Sequence, residues 1–169
     1  VTVGYNVDTF GHNGMLPQIL KKTGLDSYVF FRPGESEMEL PQIFWWESPD
    51  GSRVLTSRPP FHYGFGGEEI VERIEGTVEQ VQKGVSHVMN FYGVGNHGGG
   101  PTRQNIDAIL SLQEQDGGPE VLFSTPDRFF DAIRNEGGDL PVVASELRYH
   151  ARGCYSVVSP LKDHNRRLE

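Results

Sequence analysis

The 169-residue chain predicts an α/β fold with a parallel sheet covered by helices. Short runs of β-branched and aromatic residues alternate with longer runs at helical spacing, turn residues separate them, and the strand, loop, helix order recurs through most of the chain. Residues 1–7 read as a strand leading into Asp8. Asn13 can cap a helix over 14–23, which puts Met15, Leu16, Ile19 and Leu20 on one face, tolerates Pro17 in its first turn and stops at Gly24. Residues 27–31 form a second strand ending at Arg32. Ile43–Glu47 and Arg53–Ser57 flank Pro49-Asp50-Gly51-Ser52, which predicts a hairpin. After a Pro- and aromatic-rich loop, residues 68–83 carry Ile70, Val71, Ile74, Val78 and Val81 at helical spacing. A buried strand over 85–92 then opens into a glycine-rich loop, followed by a helix over 103–115, a strand over 120–124 and a helix over 125–135 ended by Gly137-Gly138. From Glu146 onward the chain is polar and charged, so a domain boundary falls between 140 and 155.

Composition narrows the functions. Apolar side chains make up 36% and there are 21 glycines, a globular composition long enough for one sizeable core. Fifteen Lys and Arg against 23 Asp and Glu give a net charge of −8, which repels phosphate backbones and anionic lipid. Neither nucleic acid nor a membrane is an expected partner. The single Cys154 forms no internal disulfide, and no apolar run approaches the ~20 residues needed to span a bilayer. A soluble protein in the cytoplasm is expected. The chain opens on Val1 within a strand and stops inside a charged, helix-like run, so it reads as a piece of a longer protein.

In a parallel α/β fold, ligands meet the residues that follow the carboxyl ends of strands. Asp8 stands there, in a tight loop with Phe10, Gly11 and His12. Such a carboxylate can ligate a metal, attack as a nucleophile, act as a general base or cap a helix. His12 reads more readily as a packed histidine bonded to backbone than as a ligand. His62, His87, His150 and His164 stand singly without chelating spacing and read as structural or exposed. Trp45 and Trp46 read as packing residues.

Asp8-Thr9-Phe10-Gly11-His12, Leu16-Pro17-Gln18-Ile19-Leu20, Gly24 and Val29-Phe30-Phe31-Arg32 together resemble glycoside hydrolase family 38, the α-mannosidases. The likeness continues in Phe44-Trp45-Trp46-Glu47-Ser48-Pro49-Asp50-Gly51-Ser52 and in the loop Tyr92-Gly93-Val94-Gly95-Asn96-His97-Gly98-Gly99-Gly100-Pro101-Thr102. It resumes in Arg152-Gly153-Cys154-Tyr155-Ser156 and Asn165-Arg166-Arg167-Leu168-Glu169.

This resemblance implies a zinc-dependent, retaining exo-α-mannosidase acting on terminal α-mannosyl residues. Residues 1–148 would be the later part of an irregular α/β barrel and 149–169 the start of a helical middle domain. Asp8 would both ligate zinc and attack the anomeric carbon, with the other zinc ligands outside this chain. Phe10 matches the family aromatic that contacts the sugar, Arg32 the arginine beside the nucleophile, and Tyr63 is a candidate hydrogen-bond donor to sugar or nucleophile. Where many members carry Gly-Asp in the glycine-rich loop, this chain has Asn96-His97, and His97 is the candidate general acid because imidazole carries a proton near working pH; a carboxylate elsewhere as donor, a substrate contact for His97, and solvent for an activated leaving group stay open. The full-length protein is expected to be able to form a homo-oligomer. Two other readings stay open: a metal-dependent polysaccharide deacetylase-like enzyme, for which the His-x-x-x-His pair is missing, and a non-catalytic carbohydrate-binding remnant.

Overall fold

The computed structural model describes residues 1–64, 69–95, 99–148, 150–151 and 158–169. Five strands form one sheet: β1 (Val3–Tyr5), β2 (Ser27–Val29), β3 (Ile43–Glu47), β4 (Arg53–Ser57) and β5 (Val142–Val143), in the order β1-β2-β4-β3-β5. The register pairs Val3 with Ser27, Ser27 with Leu55, Trp45 with Leu55 and Trp45 with Val142. β1, β2 and β4 run parallel, β3 is antiparallel to β4, and β5 is parallel to β3. The sheet is therefore mixed, correcting the parallel sheet expected above. A tight Pro49-Asp50-Gly51-Ser52 turn leaves β4 no way to return along β3 except antiparallel. Gly51 takes φ +82°, a conformation that favours glycine.

Both faces of the sheet are covered. Val29, Phe31, Ile43 and Leu55 pack on Phe129, Phe130 and Ile133 of α4 (Pro126–Glu136). Tyr28, Phe30, Phe44, Trp46 and Val54 point the other way, onto Leu20 of α1 (Leu16–Lys22) and Leu147. Because β2, β3 and β4 feed both cores, Tyr28 to Phe31 read as an unbroken apolar run instead of an alternating one. α2 (Ile70–Glu79) and α3 (Arg103–Gln113) form a smaller cluster through Ile70, Ile74 and Ile109, and α5 (Ser159–Leu168) buries none of its residues. No helix among the described residues is long and apolar enough to cross a membrane.

The helix starts follow local chemistry. Thr102 and Asn105 form a reciprocal capping box at α3, Thr125 accepts from the Arg128 N–H at α4, and Gly137 ends α4 in the left-handed region. Asn13 does not cap α1. Its side chain takes the Met15 N–H at 2.8 Å in a turn just before the helix, and the helix begins at Leu16.

Two expected strands, 85–92 and 120–124, are not strands. Val85, Met89 and Phe91 pack against the same core as Val29 and Phe31, and Val121 packs on the α2–α3 cluster. Over 85–92 the apolar spacing reports burial that is met without a ladder partner, whereas Leu122 and Phe123 are exposed and 120–124 is covered only at Val121.

His12 anchors the loop after β1. It is 3% exposed, its Nε2 donates to the Arg32 carbonyl at 2.8 Å, and its Nδ1 accepts from the Tyr28 hydroxyl at 2.8 Å. Both ring nitrogens are occupied, so the packed reading holds and ligation does not. Burial pushes the His12 pKa below its ordinary value, against a smaller raising effect of the Arg32 carbonyl. The unfolded chain then takes up this proton first, so the stability contribution is full above about pH 6.5 and is lost as the pH falls toward the lower folded pKa. Thermal unfolding should show a Tm that drops across this window in the wild type and drops less in His12→Gln, which keeps a donor and an acceptor without titrating. Equal slopes would remove His12 as the source.

Candidate active site

The three parallel strands deliver their following residues to one edge of the sheet. β1 leads to Asp8, β2 to Arg32 and β4 to Tyr63, and these side chains meet. Arg32 Nη2 lies 3.3 Å from Asp8 Oδ1, and the Tyr63 hydroxyl donates to Asp8 Oδ2 at 2.5 Å. Among the described residues each carboxylate oxygen has one donor and keeps a further lone pair, and the Asp8 side chain is 53% exposed. The carboxylate is thus oriented by two fixed donors and open to a ligand.

The donors are held from behind. Tyr63 packs edge-on against Phe31, centroids 5.4 Å apart, and against His62 at 4.1 Å. Its hydrogen bond to Asp8 raises the Tyr63 pKa, with burial and the Asp8 charge adding to the rise, so this hydroxyl keeps its proton as a donor. Tyr5 also has a raised pKa, from burial first and then from the Asp8 charge. Phe10 sits 5.4 Å from Arg32 Cζ, its face toward the cation, and 5.1 Å from the His150 ring.

Of the residues singled out in the sequence, Asp8, Phe10, Arg32 and Tyr63 come together. Asn96 and His97 lie outside the described residues, as do Arg152 to Ser156 of the second likeness. Trp46 is fully buried and Trp45 packs on the core. Sequence reasoning missed His150 and Glu37. His150 Nε2 lies 3.3 Å from Arg32 Nη1, and its Nδ1 is 2.7 Å from Glu37 Oε1. A lone histidine 118 residues from its partner leaves no local pattern to read.

No group of three His, Cys, Asp or Glu side chains that could hold a metal ion occurs among the described residues. Asp8 offers one donor. The residues described here do not by themselves make a zinc site.

An oriented, exposed carboxylate with a cationic and a phenolic partner stands at the carboxyl edge of the sheet, where α/β folds place their ligands. The model of the glycosyl hydrolases family 38 N-terminal domain matches residues 1–146, and the chain belongs to this family of glycosidases. It is 34% identical to α-mannosidase 2C1 of Mus musculus over 168 residues, 96% of this chain and 16% of that protein. It is also 30% identical to α-mannosidase G of Dictyostelium discoideum, covering 96% of this chain and 15% of that one. Among solved structures, an α-mannosidase from Enterococcus faecalis V583 matches with a TM-score of 0.65 at 26% identity, over 87% of this chain and 18% of its own. The chain thus spans about a sixth of the length of the relatives it matches.

Proposed function

We propose that this chain supplies the nucleophile side of a zinc-dependent, retaining α-mannosidase that removes terminal α-mannosyl residues. The observation that carries the reading is the Asp8 carboxylate, held by Arg32 and Tyr63 at the shared strand edge. An Asp8 oxygen attacks the anomeric carbon as the glycosidic C–O bond breaks, giving a glycosyl ester that water later cleaves, with net retention. Arg32 aims one carboxylate oxygen, Tyr63 fixes the other, and the Phe10 ring offers an apolar face to the sugar's C–H groups. Zinc would supply Lewis acidity toward the sugar hydroxyls. Asp8 would be one of its ligands, the remaining donors coming from outside the described residues.

The wider architecture is part of the proposal: the sheet belongs to an irregular α/β barrel, and 149–169 opens a helical middle domain. Support comes from the family match ending at residue 146 and from the wholly exposed α5, an amphipathic helix with no described partner. Product stereochemistry tests the mechanism. NMR of the first-formed mannose should show the α anomer, and initial release of the β anomer would overturn the assignment.

His97 is the proposed acid for the leaving oxygen. His97→Ala should slow substrates with poor alkoxide leaving groups at least ~10-fold more than activated aryl mannosides, because only the former depend strongly on protonation. Equal losses on both would leave His97 a loop residue.

A further inference from the structure

We infer that His150, braced by Glu37, is a positioning residue that fixes the Arg32 guanidinium against Asp8, an assignment resting on the nucleophile reading of Asp8. Arg32 uses its two terminal nitrogens in opposite directions. Nη2 reaches Asp8 Oδ1 at 3.3 Å and Nη1 reaches His150 Nε2 at 3.3 Å. Arginine only donates, so Nε2 accepts and the ring proton sits on Nδ1. Nδ1 faces both oxygens of Glu37, at 2.7 and 2.8 Å. The carboxylate therefore selects the tautomer that can receive Arg32, as a carboxylate commonly does for a working imidazole.

Glu37 is itself tied down, taking the Gly34 N–H at 2.9 Å and a backbone bond from Ala151. Its pKa is lowered, chiefly by the His150 hydrogen bond, which keeps it an acceptor. The Phe10 ring closes one side of the Arg32–His150 contact. At the other end of Arg32 the backbone carbonyl is held by His12, and His12 is bridged through its backbone to Leu147, three residues before His150. The arginine is thus clamped at main chain and at head by the same two segments. A long, flexible side chain without the second clamp would sample many rotamers and leave Asp8 less well aimed.

The test uses the enzyme that contains this chain, with His150→Ala and His150→Gln made alone and with Arg32→Met. His150→Ala should lower kcat on an aryl α-mannoside about tenfold with KM nearly unchanged, because geometry and not binding is lost. His150→Gln should recover most of that loss, since its amide offers both an acceptor to Arg32 and a donor to Glu37. In the Arg32→Met background, His150→Ala should cost nothing further. A crystal structure of His150→Ala should show Arg32 turned away from Asp8. Wild-type kcat in His150→Ala, a fully additive loss with Arg32→Met, or Arg32 unmoved on Asp8 in that crystal structure would each overturn the inference. If the wild-type enzyme cleaves no α-mannoside, the mannosidase reading fails separately, and the crystal structure still decides the role of His150.

Discussion

Asp8→Asn should reduce turnover of an aryl α-mannoside by at least ~10³-fold, the range seen when a residue acting directly in bond formation is removed. The neutral amide keeps the shape of the carboxylate but not its charge. Its nitrogen would face either the Arg32 guanidinium, which also only donates, or the Tyr63 hydroxyl, so one of the two contacts at 3.3 and 2.5 Å must be lost or reversed. Attack on the anomeric carbon needs an anion, and a proposed zinc ligand is weakened in the same stroke. Because Asp8 is half exposed and lies outside both core clusters, the variant should unfold at nearly the wild-type temperature. A rate within about 100-fold of the wild type, with folding intact, would place the nucleophile elsewhere.

Trp46→Ala should destabilise the fold by about 3–5 kcal/mol, the usual cost of emptying a fully buried aromatic site. Trp46 has no exposure, its Nε1 donates to the Ser145 carbonyl at 2.9 Å, and its ring meets those of His12 and Tyr28. Truncation opens a cavity beneath the loop that follows Asp8 and leaves the Ser145 carbonyl without this donor. Trp46→Phe should cost less, about 1–2 kcal/mol, because it keeps most of the packing and loses the hydrogen bond. Urea unfolding monitored by circular dichroism measures both. A shift below about 1 kcal/mol for Trp46→Ala would mean that the β3 face is not the core described.

The elements legible in the sequence were those whose signal is local. The β3–β4 hairpin occupies the expected residues because the turn between the strands and the strands themselves are adjacent in the chain. The helices expected over 103–115 and 125–135 begin close to those residues, where Thr102 and Thr125 cap them locally. β5 was not, since two residues carry no periodicity and Val142–Val143 becomes a strand only by lying beside Trp45 and Trp46. Asp8 was legible as a carboxylate directly after a strand, Phe10 and Arg32 by lying in motifs shared with a family, and Tyr63 only as a hydroxyl in a Pro- and aromatic-rich loop. His150 and Glu37 were not, because what distinguishes them is a meeting across the fold and not a spacing along the chain.

The backbone bridge between His12 and Leu147 has a consequence for how the protein is made. A ribosome releases the Asp8 loop early and the Ser145–His150 segment much later, so the nascent chain holds Asp8, Arg32 and Tyr63 long before the segment that braces them exists. Closing so long a loop is slow, and until it happens Leu147 cannot fill its place beside Trp46. During that interval the apolar face over β3 stays open to water and to chaperones. Translation pauses placed before residue 145 should therefore lengthen protease sensitivity at the Asp8 loop, whereas pauses placed after the whole domain has left the exit tunnel should not.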